Sequence, residues 1–202
     1  MRWLRLIILA VLFGGMTAPL AAQHQDCQCG LREVKESDNN PNRRSGIWAS
    51  LGAGAGVESF NAYDGLGWTN GIWGGVVSGK AGLTVGQNLT IGGEGQLWIH
   101  EFPQYRRMLG SIMIIGQLYP VARGGFFLKG GAGWTRDDLR LYYTPPTAIP
   151  TEQNGWGFVA GMGYDVRIAK DVSITPSLDF VDHYYDIQEE RMLNMGLAIT
   201  FH

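Results

Sequence analysis
The chain has 202 residues, a formal net charge of −2 and a mean hydropathy of −0.05. Near-neutral charge without basic clusters argues against a nucleic-acid partner, and the hydropathy is too low for a bundle of membrane-spanning helices. The 30 glycines are about twice the ordinary share and follow no collagen period or low-complexity run, so they belong inside structured elements.

Residues 1–22 read as a secretory signal peptide. Arg2 and Arg5 flank the start of a short apolar run from Leu4 to Phe13, and small residues follow from Thr17 to Ala22. The run is half of the ~20 residues that a spanning helix needs, so cleavage after Ala21 or Ala22 is expected. Residues 23–45 are polar, lack apolar periodicity and are expected to form a disordered periplasmic tail. Within it, Cys27 and Cys29 are expected to be an oxidised pair. His24, Gln25 and Asp26 do not suit a lipoprotein signal, and two thiols without a third ligand make a poor metal site.

From residue 46 the pattern changes to period two. In 46–58, Ile47, Ala49, Leu51, Ala53, Ala55 and Val57 alternate with Trp48, Ser50, Gly52, Gly54, Gly56 and Glu58. The same two-row pattern recurs over 71–85, 89–101, 108–119, 125–137, 155–168, 172–183 and 191–202. Long connections follow the first, third, fifth and seventh stretches, and short turns follow the others. An all-β, eight-stranded antiparallel up-and-down transmembrane β-barrel is predicted over residues 46–202. A soluble sandwich or lipocalin-like barrel would carry many Lys and Glu on its outer row, whereas here the second row is mostly Gly, Ser and Thr. Trp73, Trp134, Trp156 and Phe180 at one end, and Phe126 and Phe201 at the other, suit two lipid-interface girdles.

An eight-stranded barrel is just wide enough for side chains to fill it. The inward rows hold Glu58, Lys80, Glu94, Gln96, His100, Lys129, Asp165, Arg167, Asp179 and His183. Lys80, Lys129 and Arg167 are expected to pair with Glu94, Asp165 and Asp179, because an unpaired charge in so confined a space is costly. A narrow pore is the alternative, with inward glycines opening small water pockets. His183 and Asp179 share a row and have acid–base chemistry, but no Ser or Cys nucleophile lies at an evident neighbouring position. His100 and His183 fall on non-adjacent strands, so neither a metal nor a cofactor is expected. Tyr142 and Tyr143 in the longest loop, with Tyr184 and Tyr185 in another, are loop recognition candidates.

The signal, the eight alternating stretches, the Gly-rich small face and the closing strand resemble the small outer membrane β-barrel family, the OmpA/OmpX-like barrels. That resemblance implies a bacterial outer membrane location, contact with outer membrane lipids and insertion by the barrel-assembly machinery, which reads a terminal aromatic. Here Phe201 is followed by His202. The His-x-Ser pattern of barrel lipid A deacylases is missing, since His183 precedes Tyr184 and Tyr185 and His100 precedes Glu101 and Phe102. The expected function is a non-enzymatic structural or surface-interaction protein, with an extracellular ligand taken through its loops; the alternatives are a narrow channel or a lipid A-modifying enzyme.

Overall fold
Alternating apolar and small residues give a continuous antiparallel wall in the computed structural model, which describes Arg44 and residues 46–62, 67–121, 124–141 and 151–202. The strands are β1 (Ile47–Ala62), β2 (Ile72–Gly86), β3 (Leu89–Glu101), β4 (Tyr105–Leu118), β5 (Phe126–Leu141), β6 (Thr151–Tyr164), β7 (Val166–Ala169), β8 (Val172–Tyr184) and β9 (Gln188–Phe201). Strands β6 and β7 are halves of one stave, interrupted at Asp165, since both pair with β8. Each stave pairs with its sequence neighbours, and β9 pairs with β1 from Ala49↔Phe201 to Ala62↔Gln188. The result is a closed eight-stranded antiparallel barrel with no free edge, as the alternation predicts.

The expected signal peptide, the Cys27 and Cys29 pair, and Tyr142 and Tyr143 lie outside the described residues. Several strands run further into the long-loop end than the sequence suggests. β4 begins at Tyr105, β5 ends at Leu141 and β9 begins at Gln188. Charged residues at these ends interrupt the apolar row, so alternation of hydrophobicity stops before the pairing does.

Adjacent residues separate cleanly by face. Ile47 is 74% exposed and Trp48 only 3%, which fixes the greasy row as the outer wall. Inside, Trp48, Val76, Trp98, Leu109, Met113, Val181 and Met192 pack into an apolar core. Many inward glycines are packed against by their neighbours, although Gly52, Gly54 and Gly196 line a cavity of about 20 Å³. Gly82 and Gly92 face each other in the β2–β3 register, and a Cβ on Gly82 would lie 2.6 Å from the Gly92 Cα. These glycines allow the close backbone approach that a tightly curved wall requires.

Candidate functional site
Charged side chains in the lumen form three layers. In the middle layer the β2–β3 register sets Lys80 opposite Glu94, with Nζ 3.5 Å from Oε1. Lys129 reaches from β5 to join β3 and β8. Its Nζ lies 2.7 Å from Glu94 Oε2 and 2.9 Å from Asp179 Oδ2, and its side chain is fully buried. Such charges are tolerated in a low-dielectric lumen because each cation meets a carboxylate.

The layer at the short-turn end is built around Asp165, which leaves the strand and turns its carboxylate inward. Its oxygens accept from Tyr119 Oη at 3.0 Å and Thr175 Oγ1 at 2.8 Å. Arg44, just ahead of β1, lies 3.7 Å from the same carboxylate and 3.5 Å above the Tyr119 ring, and donates to the Gly124 carbonyl at 2.7 Å. The buried Tyr119 phenol is pushed well above its ordinary range, mainly by burial and then by the Asp165 charge. His202 folds over this end. Its Nε2 is 3.2 Å from Ser173 Oγ and 4.0 Å from Asp165, and burial followed by the Arg167 charge lowers its pKa to about 4. These contacts do not make a catalytic relay: Ser173 and Asp165 face the same imidazole nitrogen, and Ser173 is fully buried.

Arg167 lies on β7, on the same inward row as Asp165. Its Nη1 donates at 2.9 Å to the Lys170 carbonyl in its own hairpin. The β7–β8 pairing carries a register shift between Arg167 and Ala169, beside the turn.

The layer at the long-loop end centres on Arg107 of β4. It lies 3.2 Å from Glu58 and 2.9 Å from Asp137, and also pairs with Glu190. Gln188 Nε2 adds bonds of 3.0 Å to Asp137 and 2.6 Å to Glu190. Sequence reading missed this cluster because Arg107 and Glu190 fell in expected loops. The missed signal is parity: Arg107 continues the row of Leu109 and Ser111, and Glu190 that of Met192 and Asn194. His183 is buried beside it, with Nδ1 3.8 Å from Glu190 Oε2, whereas Asp179 pairs with Lys129. Among the described residues, no group of three His, Cys, Asp or Glu is placed to hold a metal ion.

Above this layer the mouth opens into a vestibule of about 360 Å³, walled partly by Phe60, Trp98, His100, Tyr105 and Leu139. His100 Nδ1 is 2.6 Å from the Trp73 carbonyl, so this nitrogen carries the proton. Tyr185 departs from its expected exposed position and is buried. It continues the inward row of Val181 and His183, and its ring meets His183 edge-on at 6.1 Å. Tyr184 is half-buried, with its hydroxyl 2.7 Å from Asp182 Oδ2. The aromatics Trp73, Trp134, Trp156, Phe126 and Phe201 are all exposed on the outer wall. Trp134 and Trp156 are register partners, as are Phe126 and Tyr164 at the other end of the same strand pair.

A closed eight-stranded wall, apolar outside and filled inside, is the fold of the small outer membrane β-barrels. Among solved structures the chain is similar to Ail, the attachment invasion locus protein of Yersinia pestis, at 12% identity, covering 78% of this chain and 100% of that one, with a TM-score of 0.59. It is also similar to Neisserial surface protein A (13% identity, 78% and 97% covered, TM-score 0.54) and to OprG from Pseudomonas aeruginosa (12% identity, 80% and 99% covered, TM-score 0.52). No protein-family model and no curated protein sequence matches the chain.

Proposed function
We propose that the protein is an integral barrel of the bacterial outer membrane, non-enzymatic, with a plugged lumen and a structural or surface-interaction role. The observation that carries this reading is the bridge from β3 through Lys129 to β8 across the lumen. Cavities of only about 10 and 20 Å³ lie around it. The first is too small for more than one water. The exposed outer row supports contact with membrane lipid, because so continuous an apolar surface is otherwise an aggregation hazard. The non-enzymatic reading is supported by the histidines: among the described residues no serine hydroxyl is bonded to His100 or His183.

In this reading residues 1–22 direct export, and Phe201 is read by the barrel-assembly machinery. Heat-modifiable migration of the protein from isolated outer membranes tests the location, and a soluble, unshifted protein would refute it. Planar bilayers test the plug: no conductance steps are expected, and steady steps would establish the channel alternative. Replacing Phe201 by Ala should lower the fraction of chain that inserts.

The recognition role draws on the rim. Ile187 is exposed there, and the Arg191 guanidinium lies 4.0 Å over the Trp68 ring, a cation and an aromatic presented together. Ail has been solved in complex with the heparin analogue sucrose octasulfate, at 11% identity and a TM-score of 0.53 to this chain. Tyr142, Tyr143 and Tyr184 remain the loop candidates. Deleting residues 142–152 and measuring surface binding tests this role; unchanged binding leaves only the scaffold.

A further inference from the structure
The long-loop mouth holds a concavity floored by the Arg107 cluster. At about 360 Å³ it falls within the range of small-molecule sites. Phe60, Trp98, Tyr105 and Leu139 give it an apolar, largely aromatic wall. The Trp98 ring is held in place by donation from Nε1 to the Gly56 carbonyl at 3.2 Å, so part of this wall is preformed.

The polar atoms of the vestibule are unbalanced. The charged donor and its amide neighbour are already taken. Arg107 gives Nε to Asp137, Nη1 to Glu58 and Nη2 to Asp137 and Glu190. Gln188 Nε2 is likewise committed to Asp137 and Glu190. The vestibule's acceptors are not taken. Gln153 Oε1 is buried without a hydrogen-bond partner, and so is His100 Nε2, an acceptor in the neutral imidazole whose Nδ1 donates to the Trp73 carbonyl. Beneath the floor, Glu58 and Glu190 are fully buried, and each keeps one oxygen unpartnered.

The charge is unbalanced in the same sense. Three carboxylates surround one guanidinium, so the cluster is short of positive charge. Either protons or a cationic ligand make up the difference. An anion would meet the carboxylates of Glu58, Asp137 and Glu190 around the single Arg107 guanidinium. A neutral apolar ligand would leave the acceptors unsatisfied.

We propose that this vestibule binds a small organic cation, a protonated amine carried on an aromatic or aliphatic body. The ammonium donates to the free acceptors and adds the missing charge, while the body packs against Trp98, Phe60 and Tyr105, where ring faces attract a cation. The proposal does not depend on which side of a membrane the mouth faces.

The test uses the full barrel refolded in non-ionic detergent, with folding confirmed by heat-modifiable migration. Isothermal titration compares phenethylamine with two probes of matching shape, 2-phenylethanol and 3-phenylpropionate. Phenethylamine should saturate one site and bind at least about tenfold more tightly than either, the discrimination expected of one charge-assisted interaction. Leu139→Trp, opposite Arg107 in the β4–β5 register, fills the vestibule while leaving every charged side chain in place and should abolish binding. Gln153→Leu removes one acceptor and should weaken binding several-fold. Absence of saturable amine binding, equal binding of all three probes, or unchanged binding by Leu139→Trp would each overturn the proposal. If Leu139→Trp does not fold, the three probes on the unaltered barrel together with Gln153→Leu decide. A barrel that inserts in outer membranes yet binds no amine removes this site and leaves the membrane assignment standing.

Discussion

Removing the charge of Lys129 tests whether paired charges hold the barrel lumen together. Lys129→Met keeps the length and the apolar stem of the side chain while deleting the ammonium. The change separates Nζ from Glu94, at 2.7 Å, and from Asp179, at 2.9 Å. Glu94 keeps Lys80 at 3.5 Å, but Asp179 loses its ion-pair partner, and its Oδ1 already has no hydrogen bond. A buried pair broken from one side destabilises by about 3–5 kcal/mol, because the remaining charge is uncompensated. Adding Asp179→Asn to Lys129→Met removes that stranded charge. The double variant should therefore be more stable than the sum of the two single effects, by roughly 1–3 kcal/mol. Urea unfolding of barrels reconstituted in lipid vesicles, followed by tryptophan fluorescence, gives all four corners of the cycle. A loss below about 1 kcal/mol for Lys129→Met, or strict additivity in the double variant, would refute the view that this bridge is energetically important.

Arg107→Met should be as damaging, since it leaves Glu58, Asp137 and Glu190 facing one another; adding Glu58→Gln should restore part of the loss in the same unfolding assay. Gly82→Ala places a Cβ 2.6 Å from the Gly92 Cα, a backbone atom that cannot easily give, and should destabilise by about 1–3 kcal/mol or slow folding of the barrel. For His202 the folded pKa, near 4, lies below its ordinary value of 6.5. Between those values the unfolded chain takes up a proton that the folded barrel refuses, so stability falls as pH falls through this window. His202→Gln should reduce that slope. Equal slopes for the two proteins between pH 7.5 and pH 5, measured by urea midpoints, would show that the imidazole is solvated.

The barrel was readable because its evidence is repeated. The row Leu193, Met195, Leu197, Ile199 and Phe201 has counterparts in every other stave, and one misplaced boundary does not disturb the pattern. That Lys80 would meet a lumen carboxylate was readable because it is a charge on a row otherwise small and polar; that Glu94 stands directly opposite was not, since the β2–β3 register shifts between Thr84 and Gly86. What escaped depends on three-dimensional closure. Arg44 precedes the first strand and gains its contacts only when Tyr119, Gly124 and Asp165 come together from three other parts of the wall. Arg107, Glu190 and Tyr185 lie beyond the last hydrophobic alternation, where polar residues look the same whether they point into a lumen or out to water. Parity alone places them, and it persists only if the strand does. The break at Asp165, two residues before Arg167, is one that alternation does not announce, because the row continues through it.

The glycine content connects these observations. A lumen this narrow accepts a large inward side chain only where the facing wall has none. A Cβ on Gly74 would lie 2.6 Å from Trp98 Nε1, and one on Gly163 would lie 2.9 Å from Phe127 Cε1. Gly161 likewise gives room to the Asp179 carboxylate, and Gly56 to the Asn194 amide. Small residues on one stave and large ones on the next thus interlock, as interiors of small barrels require. At these positions the glycines are sockets for the side chains that fill the lumen. Gly74→Val should displace Trp98 from its bond to the Gly56 carbonyl and shift its emission toward that of a solvated indole, whereas the same change at Gly75, which faces outward and has nothing within 4 Å of its Cβ position, should leave the spectrum unaltered. An equal response at both positions would mean that the lumen is loosely filled, and the case for a sealed barrel would fail with it.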